Sequence, residues 1–410
     1  MSTEKLDEQL MKELKELDKG GRCKPEERII TGYLPPREDR GPRYTIKGHK
    51  KDYIRLNSNS YLSLSNHLAM IKAADEACRK YGVGPGAVRF IDGTFEPHVA
   101  LEQRIAEFTG MSAAKIFNSA YTSNCGAAFG ISDQQTYWIG DELNHNSIIR
   151  AMRIVGVQRG NKAIYKHNDM ADLHRCLENI PESVKRVVVV FDGVFSMRGD
   201  YAPVDQILET IKPFENKFEQ GLITMEDDSH GIGAYGSTGR GTAEYTQGQP
   251  DIIVGTFGKA FGVNGGFIAS SKAVIESVRQ RADTYIYTNP LGVADCAAAI
   301  EAINICDSPE GIERLINLKN RQDQLRQGIS SLGIESIPGS HPVIPLLTRD
   351  SEKTKKMVTY FFNRGIMVVG LAFPVVPAGQ EKLRIQINAA HTKSDIDEVL
   401  NVLADFQSQF

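Results

Sequence analysis

Gly255-Thr256-Phe257-Gly258-Lys259-Ala260-Phe261-Gly262 follows the apolar run Ile252-Ile253-Val254, itself bounded by Pro250 and Asp251. A short apolar run between turn residues reads as a buried strand. Lys259 then stands among glycine, threonine and phenylalanine, with no carboxylate beside it in sequence. A lysine on a solvated helix face has charged neighbours at helical spacing, and this one has neither. Burial depresses an ammonium pKa, and a neutral amine is a nucleophile able to form a Schiff base. Read alone, the stretch serves equally well as a glycine-rich surface loop that happens to hold a lysine.

A second stretch changes the balance. Leu222-Ile223-Thr224-Met225 reads as another buried strand and ends in Glu226-Asp227-Asp228-Ser229-His230. Carboxylates at the carboxyl end of such a strand sit where open α/β sheets place ligands. Asp227 and His230, a glycine-rich turn, and then a strand delivering Lys259 make up the core of a pyridoxal-phosphate (PLP) site. That cofactor takes a Schiff-base lysine and an acid partner for its pyridine nitrogen.

Three motifs in order, Asp227-Asp228-Ser229-His230-Gly231, Gly236-Ser237-Thr238-Gly239-Arg240-Gly241 and Gly255-Thr256-Phe257-Gly258-Lys259-Ala260, resemble the α-oxoamine synthase family of PLP enzymes. The resemblance runs from about Glu26 to the C-terminus. It implies a PLP-dependent transferase of fold type I, an α/β fold whose large domain is built on a mainly parallel seven-stranded sheet. The expected division is an N-terminal helix and arm over 1–48, a PLP-binding domain over 49–300, and a smaller α+β domain over 301–410. The residues agree with this rhythm. Strand-like runs stand at 115–117, 137–139, 163–165, 186–191, 222–225, 252–254 and 265–269, and those at 163–165 and 186–191 alternate with helical stretches, as a mainly parallel sheet requires.

The resemblance also implies roles. The amine of Lys259 holds PLP and later acts as general base. Asp227 pairs with the pyridine nitrogen, His230 tunes the ring oxygen, Ser196 bonds near that oxygen, and His145, in Asp141-Glu142-Leu143-Asn144-His145-Asn146-Ser147, stacks on the ring. Ala120 and Tyr121 hold the phosphate through their backbone, with Thr256. Here the residues speak too, because small polar residues opening a helix after the strand 115–117 leave free N–H groups and a positive dipole end. Thr288 and Asn289 are expected to reach the phosphate of a neighbouring subunit, so each active site of a homodimer needs two chains. Asn59 and Arg384 are the expected anchors of the amino-acid carboxylate. Arg384 alternates with Leu383 and Ile385 in a strand, and a planar guanidinium grips a carboxylate bidentately. Where the family has asparagine and glycine after Asn59, this chain has Ser60 and Ser63.

Composition bounds the rest. The chain has 410 residues and a net charge of −3, which offers no general attraction to nucleic acid or an anionic membrane. Six scattered cysteines without a C-x-x-C pair point to free thiols in a reducing cytoplasm and to no metal site. No run is long and apolar enough to span a membrane. Leu6, Leu10, Met11, Leu14 and Leu17 lie at helical spacing ahead of Gly20-Gly21, predicting a helix packed on the body or on a partner subunit. Gly231-Ile232-Gly233-Ala234-Tyr235-Gly236 spells a dinucleotide fingerprint. It runs into another glycine-rich loop and not a helix, so dinucleotide binding is not expected.

The family condenses an amino acid with an acyl-CoA and releases CoA; glycine, alanine or serine fits here. Four stretches, 26–31, 88–91, 192–197 and 373–377, most resemble 2-amino-3-ketobutyrate CoA ligase (glycine C-acetyltransferase). Gly93-Thr94-Phe95 is similar to serine palmitoyltransferase. An 8-amino-7-oxononanoate synthase-like enzyme, or one using another acyl donor, is the alternative. A non-catalytic subunit that keeps the fold is a reading of another class. The joint presence of Lys259, Asp227, His230, His145 and Arg384 argues against it.

Overall fold

Residues 187–191 read Val-Val-Val-Val-Phe, apolar at every position, so a strand made of them must be covered on both faces. The computed structural model, which describes residues 3–157 and 159–409, shows how. The outermost residues of the expected 1–48 and 301–410 segments lie outside the described residues. Seven strands form one sheet: β1 (Ala113–Phe117), β2 (Thr136–Asp141), β3 (Lys162–Tyr165), β4 (Arg186–Asp192), β5 (Leu222–Asp227), β6 (Ile252–Thr256) and β7 (Gly266–Ser270). Their order is β1-β7-β6-β5-β4-β2-β3, parallel except for β7, which runs antiparallel between β1 and β6.

Alternation along β4 sorts the two layers. Val188 and Val190 join Met225, Val254 and Ile268 in one core, completed by Ala127 and Ile131 of helix Ala120–Ile131 and Ile148 of helix Asn146–Ile154. Val187, Val189 and Phe191 join Ile139, Leu173 and Ile207 in the other, under helices Met170–Glu178 and Val204–Ile211. The parallel strands all point their carboxyl ends to one edge of the sheet, where β5 ends in Asp227 and β6 leads into Lys259. Glycine is required where β7 begins. A Cβ on Gly266 would sit 2.4 Å from the Ala120 amide nitrogen, so only glycine lets the strand pass under the start of that helix.

The chain packs as two compact units, which differ from the division expected from sequence. One spans Ser58–Asn320 with Pro338–Pro342 and contains the seven-stranded sheet. The other gathers the residues up to Asn57 with Arg321–Ile337 and the segment from Val343 on, so the N-terminal arm belongs with the C-terminal part. A buried ion pair explains the association. Arg43 Nη2 lies 2.7 Å from Asp395 Oδ1, and the Gly41 amide donates to the same carboxylate at 3.0 Å. In this unit Lys382–Gln386 is the middle of three antiparallel strands, between Val343–Leu347 and Val369–Leu371. The predicted N-terminal helix forms over Glu4–Lys19, but none of its residues is buried, and Leu6, Leu10, Met11 and Leu14 are exposed.

Candidate active site

At the carboxyl edge of the sheet, Ala120, Tyr121, His145, Ser196, Asp227, His230, Thr256 and Lys259 line one cavity of about 220 Å³, together with Ser147, Asp192, Val194 and Ser229. Eight expected residues, from five separate segments, therefore meet. A larger cavity of about 570 Å³, around Arg89, Lys115 and Tyr285, holds none of them.

Strand parity aims Asp227. It shares its side of β5 with Met225, so its carboxylate enters the layer of helices Ala120–Ile131 and Asn146–Ile154. There Asn124 Nδ2 donates to its Oδ2 at 2.6 Å and to Ser147 Oγ at 2.9 Å. The Ser229 amide donates to its Oδ1 at 3.1 Å. Both oxygens accept, which fixes the carboxylate.

The His145 ring opens onto the cavity. Its Nδ1 meets Ser147 Oγ at 2.7 Å, and its backbone N–H donates to Asp192 Oδ2 at 3.0 Å. Burial lowers the His145 pKa; the charge of Asp227 opposes this, and Lys259 adds to it. The ring is thus biased to the neutral form that stacks on an aromatic face. Asp192 is buried with one oxygen lacking a partner. Burial, then the charge of Asp227, push its pKa well above the ordinary carboxylate value.

His230 Nδ1 lies 2.7 Å from the Tyr61 hydroxyl, which is also 3.5 Å from Asn59 Oδ1, while the His230 carbonyl accepts from His341 Nε2 at 3.0 Å. Asn59 is thus joined to the cavity through Tyr61. Ser63, at the family's glycine position, has φ +56, so the left-handed turn survives without glycine.

Helix Ala120–Ile131 starts at the cavity. Ser119 caps it, accepting from the Thr122 amide at 3.1 Å while its own amide donates to Thr122 Oγ1 at 3.1 Å. The first N–H groups, including those of Ala120 and Tyr121, have no partner inside the helix and suit an anion. Thr256 Oγ1 donates to the Gly265 carbonyl at 3.0 Å and accepts from the Gly258 amide at 3.1 Å. This holds the Lys259 loop in shape.

Asp283–Ile286 is one helical turn, and the ring of Tyr285 packs 5.8 Å from that of Phe117. Thr288 and Asn289 do not line the cavity. Asn118 Nδ2 holds them from the end of β1, 3.3 Å from Thr288 Oγ1 and 2.8 Å from the Asn289 carbonyl. Arg384 lies in the other unit on its central strand, half-buried, with Nη2 3.5 Å from Gln386 Oε1.

Residues 51–403 match the aminotransferase class I and II family. The chain is 37% identical over 362 residues to the 8-amino-7-oxononanoate synthase of Thermoanaerobacter pseudethanolicus, covering 88% of each. It is 35% identical over 366 residues to 8-amino-7-oxononanoate synthase 1 of Bacillus subtilis, covering 88% of this chain and 90% of that one. The solved serine palmitoyltransferase variant from S. paucimobilis with bound PLP–myriocin superposes with a TM-score of 0.86, at 27% identity and over 99% and 98% of the two chains. The chain belongs to the α-oxoamine synthases of that family. Its fold is PLP-dependent fold type I, and the family's cofactor is pyridoxal phosphate.

The cavity of this α-oxoamine synthase fits that cofactor. A half-buried amine, a braced carboxylate, an imidazole on the cavity wall and a helix N-terminus are the groups that PLP requires. The buried Asn124 Oδ1, Ser229 Oγ and Asp192 Oδ1 also lack protein partners.

Sequence reading missed Asn124, Ser147, Asp192 and Tyr61. Two of these carried a signal. Asn124 stands four residues after Ala120, on the same helix face, and Asp192 ends β4 as Asp227 ends β5. These relatives do not support the glycine C-acetyltransferase expectation. One of its stretches has a structural role: Arg89 is buried, with Nη1 2.9 Å from Glu102 Oε1 and Nε 2.9 Å from Thr94 Oγ1, so a match there reports packing and not substrate.

Proposed function

We propose that this α-oxoamine synthase condenses a small amino acid with an acyl-CoA thioester and releases CoA. The supporting observation is the convergence of Lys259, Asp227, His145 and His230 on one cavity. The relatives' names favour an 8-amino-7-oxononanoate synthase-like reaction. The serine palmitoyltransferase likeness is a second reading, and both make the protein a PLP-dependent acyltransferase.

Bound PLP supplies an electron sink for the bond broken at the substrate Cα. Asp227, braced by Asn124 and Ser229, would carry the charge opposite a protonated ring nitrogen. His145 would cover the ring face and His230, steered by Tyr61, would address the ring oxygen. Lys259 Nζ takes the Cα proton. Arg384 and Asn59 bind the substrate carboxylate, which selects the bond aligned with the ring.

The test is CoA release over a grid of glycine, alanine and serine against short, long and ω-carboxylated acyl-CoAs, run on wild type and Arg384→Lys. Wild type releases CoA only when both substrates are present. Arg384→Lys keeps its visible cofactor band but loses on the order of 2–4 kcal/mol of amino-acid binding, because an ammonium lacks the bidentate fork. No release with any pair contradicts the function, and unchanged affinity in Arg384→Lys removes that residue from it.

The active unit is a homodimer, with Thr288 and Asn289 reaching the partner's phosphate. Mixing Lys259→Ala chains with Thr288→Ala/Asn289→Ala chains restores activity through hybrid dimers that keep one intact site. A monomer by light scattering that still turns over contradicts this.

A further inference from the structure

His167 lies two residues beyond β3, between two loops that reach the cavity. Its Nδ1 is 3.1 Å from Asp141 Oδ1 at the end of β2, and its Nε2 is 3.2 Å from Asp200 Oδ2. Its ring stands edge-on to Phe195, centroids 4.4 Å apart. The backbone around it is tied to the same two loops. The His167 amide donates to Glu142 Oε1 at 3.0 Å, the Asn168 amide to Asp141 Oδ2 at 2.9 Å, and Asn168 Nδ2 to the Tyr201 carbonyl at 3.0 Å.

Each loop carries a cavity residue. The turn that begins at Asp141 delivers His145, and the Leu143 amide donates to Asp141 Oδ1 at 2.8 Å. The turn containing Ser196 closes on Asp200, whose carbonyl accepts from the Phe195 amide at 2.9 Å. Nearer the cavity the loops touch again, where the His145 amide meets Asp192 Oδ2. His167 is the outer brace.

We propose that His167 is a positioning residue: its ring, bonded through both nitrogens, sets the spacing of the two loops that present His145 and Ser196. The proposal rests on the cofactor reading of that cavity. A neutral imidazole has one N–H, so donating to two carboxylates at once requires the imidazolium. The charged and titratable groups facing it are Asp141 and Glu142 after β2, Asp200 with Arg198 in the Ser196 loop, and the buried Tyr165 and Asp192 behind Asp141. Burial alone would lower the His167 pKa. The hydrogen bonds and charges of Asp141 and Asp200 outweigh it and raise the pKa to about 9. The folded value lies above the ordinary one, so the brace is at full strength below about pH 6.5 and is lost as pH rises through about 9. The His167 side chain is 13% exposed, which distinguishes it from a screened surface bridge.

Amide hydrogen exchange at neutral pH tests the brace without reference to activity. In His167→Gln, peptides over 142–147 and 195–201 exchange roughly tenfold faster than in wild type, while 252–256 is unchanged. Turnover falls by up to roughly a hundredfold, as expected for misplaced rather than missing groups. In wild type the circular dichroism of the cofactor band declines with a midpoint near pH 9 while the far-ultraviolet signal persists. Asp200→Asn moves that midpoint down, and it serves alone if His167→Gln does not fold. Loops as protected in His167→Gln as in wild type, or a midpoint unmoved by Asp200→Asn, overturn the proposal. A wild type with no cofactor band overturns the cofactor reading instead, and the exchange comparison still decides the brace.

Discussion

Lys259→Ala abolishes turnover while leaving the fold intact. The residue sits half-buried in the loop between β6 and β7, where the Thr256 hydroxyl ties Gly258 to Gly265 and the Lys259 carbonyl accepts from the Gly262 amide at 3.0 Å. The apolar neighbours Phe257 and Phe261 carry the packing, each fully buried. Removing the amine therefore costs stability no more than about 1 kcal/mol. The chemical cost is far larger. A positioned general base alone contributes about 10²–10⁴-fold. The same substitution also deletes the covalent anchor, so the losses compound. Purified wild type is yellow, and the variant lacks the lysine-linked band. CoA release, a visible spectrum and a thermal melt of both proteins check this. Near-normal turnover in the variant contradicts it.

Asp227→Asn follows in size. Both carboxylate oxygens accept hydrogen bonds, one from Asn124 Nδ2 at 2.6 Å and one from the Ser229 amide at 3.1 Å. An amide offers one oxygen and one NH₂, so one of those donors must face another donor. The variant thus loses the charge that balances a protonated ring nitrogen and gains a buried mismatch. Preorganised electrostatic groups of this kind are worth on the order of 10²–10³-fold each. CoA release falls by at least that, while borohydride still traps the cofactor because the lysine is untouched. Wild-type turnover in Asp227→Asn removes the acid from its role.

Much of this was legible because strands write their exposure into the sequence. The run 187–191 is apolar throughout, so a two-faced buried strand followed from it. Asp227 and Lys259 were legible because polar residues at the ends of apolar runs have few other uses. Helix Ala120–Ile131 was readable from Ser119 and Thr122, whose side chains serve each other's amides.

What escaped depended on contacts distant in sequence. Arg43 meets Asp395 across 352 positions, and no local pattern announces that the N-terminal arm belongs with the C-terminal unit. Tyr285-Ile286-Tyr287 has strand composition, yet the fit of Tyr285 against Phe117 turns it into a helical turn. Tyr61 stands 169 positions from His230, and only the approach of its hydroxyl to Nδ1 shows that it orients the imidazole.

The proposed reaction needs Lys259 as the anchor of PLP in the cavity it shares with Asp227 and His145. Borohydride reduction of the purified protein followed by peptide mass mapping tests this directly. The pyridoxyl mass is predicted on the peptide containing Lys259, in near-stoichiometric amount and absent from Lys259→Ala. The same mass on another lysine, or none in protein reconstituted with PLP, would contradict the account.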